Sequence, residues 1–140
     1  MTKTATNIDP PCPFCRLELL WKGNEVKLRN EHCVFILNTT DILHGSGIII
    51  PIVHRESVFD LTKDEWMATQ DMLKEAKRFL DNAFKPDGYN VGWNCGRDGG
   101  QVMSHVHLHI ISRFKDEPEA VAGKGIRHWY KLKENQRPRK

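Results

Sequence analysis

The stretch His105-Val-His-Leu-His-Ile110 constrains this chain more than any other, because imidazole and aliphatic side chains alternate along it without a break. Strict alternation is the period of a strand with one buried face. Val106, Leu108 and Ile110 should therefore anchor a core while His105, His107 and His109 share the opposite face. At a rise of about 3.3 Å per residue the rings would stand about 6 to 7 Å apart. A helix would scatter them around its circumference. The plain alternative is a polar sheet face that happens to be rich in histidine. Against it stands the loop from Asn94 to Gln101, whose glycines run directly into the row and let backbone N–H groups approach an anion closely.

The elements before this strand follow from the same reasoning. Glu25 to Arg29 and Cys33 to Leu37 are apolar-rich runs separated by Asn30, Glu31 and His32, the pattern of an antiparallel hairpin. Asn38 to Ser46 reads as a connecting loop, and Gly47 to Pro51 as a short apolar strand with a central place in its sheet. Thr62 and Glu65 form a capping box flanked by the hydrophobic pair Leu61 and Trp66, which predicts a helix beginning at Thr62. Leu73, Ala76, Leu80 and Ala83 carry one apolar stripe to about Phe84, widened by Met72 and Phe79. Pro86, Asp87 and Gly88 then make a turn, and Tyr89 to Asn94 a further strand.

A chain of 140 residues suits one domain, with residues 1–9 frayed and 114–140 forming a basic C-terminal extension. The formal net charge of +3 is modest, and much of it comes from Lys131, Lys133, Arg137, Arg139 and Lys140. That balance suits an anionic small molecule at least as well as a nucleic acid and by itself argues for neither. Trp129 and the basic residues from Gly123 to Tyr130 either stack on a base and hold phosphate, or pack on their own domain. The first residues lack an apolar signal core and no run approaches membrane-spanning length, so a cytoplasmic protein with no membrane contact is expected.

In such a compartment the four cysteines argue against disulfides. Cys12 and Cys15, in a proline-stiffened Cys-x-x-Cys, then read as a zinc half-site, a redox pair or a plain structural turn. A closed zinc site needs two more ligands. A redox pair needs a strand-to-helix context, and the next elements here are short strands. Cys33, with apolar flanks, should be buried.

Neutral imidazole is a nucleophile near neutrality, and a neighbouring imidazole can donate a proton or hydrogen bond. Beside a phosphate-binding loop, a row of histidines suits attack on phosphorus: His107 would form a covalent phosphoramidate, and its neighbours would stabilise charge on the phosphoryl oxygens. No catalytic metal is strictly needed.

Gly100-Gln101 followed by His105-x-His107-x-His109, with apolar residues between the histidines, resembles the signature of the histidine triad (HIT) superfamily of nucleotide hydrolases and transferases. It is most similar to the zinc-containing, bacterial-type branch that includes diadenosine polyphosphate hydrolases. The resemblance runs from Cys12 to Arg113 and takes in the Cys-x-x-Cys, the pattern from Gly47 through Pro51 to His54, the helix and the Asn94 loop. It implies an α+β fold, an antiparallel sheet of about five strands with one main helix packed on it, and a homodimer whose sheets join across a two-fold axis. It makes His107 the nucleophile that takes a nucleotidyl group from the α-phosphate, with His109 contacting phosphate and helping to protonate the leaving group. Asn94 and Gln101 would bind phosphate or bridging oxygens, and Asn38 sugar hydroxyls. Structural zinc would be held by Cys12, Cys15, His54 and His105, behind the active end of the strand.

Two positions depart from the family pattern. Ser46 stands where many members carry a fourth histidine, which leaves open what orients His107. Ser112 stands where proline is frequent. The expected activity is hydrolysis or transfer at a phosphoanhydride or phosphoramidate bond of a dinucleoside polyphosphate or nucleoside phosphoramidate. A nucleotide substrate is the expected partner, and nucleic acid is not. Competing readings are a nucleotide-binding module without turnover, and a metal hydrolase that chelates catalytic zinc through His105 and His107.

Overall fold

The computed structural model describes residues 12–17, 25–40, 43–118, 125 and 133–135. The expectations for residues 1–9, for Trp129 and for most of the C-terminal extension lie outside them. The strands are β1 (Val26–Arg29), β2 (Cys33–Leu37), β3 (Gly47–Pro51), β4 (Gly88–Trp93) and β5 (Leu108–Arg113), and the helix α1 spans Lys63–Phe84. They form a five-stranded sheet in the order β1-β2-β3-β5-β4, antiparallel throughout. The fold is therefore α+β with one main helix on the sheet. No helix among the described residues is long and apolar enough to cross a membrane.

Alternation sorts the two faces. Cys33 and Phe35 of β2, Ile49 of β3, and Leu108 and Ile110 of β5 pack with Met72, Ala76 and Leu80 of α1 in one cluster. Val34, Ile36 and Ile50 point the other way, into a second cluster with Val26, which Phe14, Leu17 and Ile48 cover from outside. This is why β2 and β3 are apolar at nearly every position: both of their faces are covered. Ile48 is the cross-strand partner of His109, and cross-strand partners share a face. His109 therefore lies on the side away from the helix, as alternation requires.

The helix begins where its capping box places it. Thr62 Oγ1 accepts from the Glu65 N–H at 3.1 Å and the Glu65 carboxylate accepts from the Thr62 N–H at 2.8 Å. It ends at Lys85, in the left-handed conformation at φ 52°, just before Pro86. Its stripe differs from the expected one at the C-terminal end. Ala83 is exposed, and Phe84 packs on the core in its place, because the buried line steps by four from Ala76 to Leu80 to Phe84. Thr69 can be buried because its hydroxyl donates to the Glu65 carbonyl at 2.7 Å.

The fifth strand also starts later than expected. It begins at Leu108, so His109 alone of the three histidines lies within it. The physical reason is the pairing of Val106, whose N–H donates to the carbonyl of Arg55 at 2.8 Å rather than to a sheet neighbour. The chain from Gln101 to His107 thus lies against the segment that follows β3. Arg55 is itself held by Glu65, at 3.0 Å, with the glutamate side chain 5% exposed and the arginine 31%.

Glu65 therefore serves both the helix cap and the loop beneath the histidines. Glu65→Ala should cost about 2 to 3 kcal/mol, because it removes the cap acceptor and strips Arg55 of its partner, against about 1 kcal/mol for Thr62→Ala. Urea denaturation of the two variants checks this. Equal losses would mean that the ion pair adds nothing.

Candidate active site and metal-binding cluster

The knuckle at the start of the described chain is a 3-10 turn with proline at its first position. Cys15 N–H donates to the Cys12 carbonyl at 3.1 Å, and this aims both thiols the same way. Cys12 Sγ lies 3.4 Å from His105 Nδ1; Cys15 Sγ lies 3.5 Å from the same nitrogen and 3.2 Å from His54 Nδ1. The four ligand atoms all fall within 4.8 Å of one another. A tetrahedral ion with bonds of about 2.0 to 2.3 Å, the range for zinc with nitrogen and sulfur ligands, sets its ligands about 3.5 Å apart. The cluster fits that geometry, and the four residues are those expected from the sequence.

Two details bear on the fit. His105 is fully buried, and its Nε2 lies 2.8 Å from the carbonyl of Pro51. A carbonyl only accepts, so Nε2 carries the proton and Nδ1 turns a bare lone pair to the sulfurs, the tautomer a metal needs. Burial holds the His105 pKa below its ordinary value, with the nearby His54 and His107 adding to the effect. Burial also pushes the Cys15 thiol up to about 11, aided by Cys12. A cation at the centre of the four would reverse that shift and hold the thiolate.

The same residue sets the next histidine. His107 Nδ1 donates to the carbonyl of His105 at 3.0 Å. This fixes the proton on Nδ1 and leaves the Nε2 lone pair for chemistry. The rings of His107 and His109 stand 4.7 Å apart at 68°. Burial lowers the His109 pKa, with His107 as the second cause, so this ring is neutral near pH 7. His105 and His107 do not aim at a common point: one turns Nδ1 to the cysteines, the other to a backbone oxygen.

A cavity of about 410 Å³ opens beside His109, walled by Asn38, Thr40, Ser46, Gly47, Ile48 and Glu25. Asn38 closes β2, and its Oδ1 accepts from the N–H and hydroxyl of Thr40 at 3.1 and 2.9 Å. Ser46 is buried, and its Oγ accepts from the Ser112 N–H at 3.3 Å. His44 packs edge-on against Phe84, with ring centroids 4.7 Å apart, on the helix side.

Asn94 and Gln101 belong to the adjoining loop, which turns through Gly96 and Gly100 at φ of 75° and 93°. Such angles suit glycine. Asn94 donates to the Gly100 carbonyl at 3.4 Å. Gln101 accepts from the Gly96 N–H at 2.9 Å and donates to the carbonyls of Glu56 at 2.7 Å and Met103 at 2.9 Å. It pins the loop to the segment after β3, and it also lines a second hollow of about 370 Å³ with Glu56, Ser57 and Arg97. Cys33 is buried and Cys95 exposed.

Two residues at the site were not singled out from sequence. Glu25 was read only as the start of a strand, yet it walls the cavity. Phe14, between the cysteines, sets its ring against both His105 and His107. An aromatic residue inside a Cys-x-x-Cys was the available signal.

Residues 23–116 match the model of the HIT domain. The chain is 30% identical to the asymmetrical bis(5'-nucleosyl)-tetraphosphatase of Schizosaccharomyces pombe, over 66% of this chain and 51% of that one. It is 29% identical to the adenosine 5'-monophosphoramidase HNT1 of Saccharomyces cerevisiae, over 88% of this chain and 75% of the other. Among solved structures, a HIT family protein of Bacillus anthracis superposes with a TM-score of 0.66 at 28% identity, covering 81% of this chain and 77% of its own.

The cluster makes a direct prediction. Metal-free protein titrated with zinc should take up one ion per chain, with a rise in melting temperature. Cys15→Ser and His54→Asn should each weaken uptake by roughly 100-fold or more. Full uptake by both variants would remove these residues from the ligand set.

Proposed function

The chain belongs to the HIT family, and from that premise we propose that it is a nucleotide hydrolase or nucleotidyl transferase working through a covalent nucleotidyl-histidine on His107. The observation that carries this reading is the hydrogen bond from His107 Nδ1 to the His105 carbonyl. It commits Nδ1 as the donor and leaves Nε2 for chemistry, with His109 beside the ring and a cavity next to His109.

The substrate is a dinucleoside polyphosphate or a nucleoside phosphoramidate, in keeping with the activities for which the two relatives are named. The Nε2 lone pair attacks the α-phosphorus, an N–P bond forms, and the bond from phosphorus to the leaving oxygen or nitrogen breaks. The leaving atom takes that electron pair and then a proton. Phosphate bound beside His109 stabilises its protonated form and offsets the burial that keeps the free ring neutral, so His109 contacts phosphate and assists this proton transfer. Water, or another acceptor, then attacks phosphorus, loses its proton, and returns the electron pair to Nε2 as the nucleotide departs. Asn38 binds the sugar from the cavity wall. Asn94 and Gln101 shape the phosphate end of the site, and Gln101 also holds the loop in place.

Cys12, Cys15, His54 and His105 would hold a structural zinc ion. With their ligand atoms so engaged, His105 would keep its place, and with it the carbonyl that accepts from His107 Nδ1. Thiolate ligands of this kind suit a reducing, cytoplasmic setting.

The active form is a homodimer. β4 is an edge strand, and beside it Trp66, Met67 and Val91 are 46%, 55% and 43% exposed around a groove of about 400 Å³ that also includes Trp93. An apolar face next to an unpaired strand edge suits a second copy. Light scattering should give twice the chain mass for the wild type and the single mass for a Trp66→Glu, Val91→Lys double variant. A monomeric wild type would discard the dimer.

The function is tested by intact-mass spectrometry after rapid quenching without acid, with adenosine and guanosine polyphosphates and phosphoramidates as substrates. The wild type should gain one nucleoside monophosphate. His107→Ala should gain none and lose about 1,000-fold or more in kcat/KM. Undiminished turnover by His107→Ala would overturn the mechanism, and nucleotide binding with neither adduct nor turnover in the wild type would make the protein a binding module.

A further inference from the structure

His107 must do more than present a lone pair. Its ring must point Nε2 along one line; the hydrogen bond at Nδ1 sets which nitrogen carries the proton, and the tilt of the ring depends on what packs against it. Ser46 makes no hydrogen bond to His107 among the described residues; its Oγ accepts from the Ser112 N–H. Two rings bracket His107 instead. His109 stands 4.7 Å away at 68°, and Phe14 stands 5.5 Å away at 79°.

The Phe14 ring also meets His105 at 5.8 Å and 79°, and it rests on the cluster of Val26, Val34, Ile36 and Ile50. It cannot drift, because its backbone is the turn that joins Cys12 to Cys15. Edge-on contacts of this kind are directional, unlike plain aliphatic packing.

We propose that Phe14 is a positioning residue, carrying the alignment of the cysteine knuckle to the nucleophile by holding the His107 ring edge-on. The role rests on His107 being the nucleophile. It makes the metal cluster and the reacting ring one rigid unit, and it supplies the orientation that a fourth histidine would otherwise give. The aromatic ring is the required feature, because an aliphatic side chain of similar bulk fills the space without fixing the angle.

The test compares the zinc-loaded wild type with Phe14→Leu, Phe14→Met and Phe14→Tyr, following single-turnover formation of the nucleotidyl adduct. Zinc per chain, melting temperature and KM are measured alongside. Leu and Met should keep one zinc per chain and a KM within about twofold, while adduct formation slows by roughly 10- to 100-fold, the scale of a misaligned reacting group. Tyr, which keeps the ring, should return to within about threefold of the wild type. Nitrogen NMR of the imidazoles should show the same His107 tautomer in all four proteins, since the His105 carbonyl sets it, so that a slower adduct step in Leu and Met reports the tilt of the ring and not its protonation.

An unchanged adduct rate in Leu and Met would overturn the proposal. So would a slow rate that follows zinc loss and recovers on adding zinc, since Phe14 would then act only on the fold. If the wild type itself forms no adduct at His107, the function fails first; if it does and the Leu variant keeps pace, the positioning role alone fails.

Discussion

Everything at the working end of this molecule is referred to the imidazole and the carbonyl of His105. The ring is buried, with one nitrogen on the Pro51 carbonyl and the other on the two cysteines. Both ends of the residue are therefore committed before any substrate arrives. Its backbone oxygen accepts from His107, so the tautomer of the proposed nucleophile is decided by a group that cannot rotate. A buried histidine without partners would be costly. Here each polar atom has a task, and the residue at the centre of the Cys/His cluster also sets which nitrogen of His107 carries its proton.

The segment that carries His105 and His107 is not a strand, yet it is as firmly tied as one. Val106 donates to the Arg55 carbonyl, Arg55 pairs with Glu65, and Glu65 caps α1. Gln101 adds a second tie, from the glycine loop to Glu56. The helix thus supports the site from behind without contributing a residue to it. Because these contacts share one short stretch after β3, damage to the cap and damage to the histidine row should be coupled rather than additive.

Most of the fold was legible because it is written in local patterns. The isoleucines of β3, the alternation in β5 and the box at Thr62 and Glu65 each act over a few residues; β3 and α1 lie within a residue of where those patterns place them, while β5 begins later, at Leu108. The four residues of the Cys/His cluster were legible through resemblance and spacing together. What was hidden depends on distant partners. Alternation from His105 to Ile110 could not reveal that Val106 bonds to Arg55 and delays the strand, and no pattern near Ala83 could show that Phe84 would take its place on the core. Phe14 was hidden for the same reason, since its neighbours come from the far end of the chain.

The two departures from the family pattern explain each other. Antiparallel pairing between β3 and β5 stops at Gly47 and Ile110, so the Ser112 N–H has no partner on β3. A proline at that position has no N–H to satisfy, and residue 46 is then free to carry a ring toward the histidines. With serine at 112 a buried donor appears, and the short hydroxyl of Ser46 meets it at 3.3 Å. Leaving such a donor bare would cost about 1 to 3 kcal/mol. Ser46 is thus spent on the strand, and the Ser112 hydroxyl is the one buried side-chain oxygen or nitrogen without a partner among the described residues. Ser46 answers a backbone donor of the neighbouring strand, and under the proposed mechanism the orientation of His107 falls to the rings beside it.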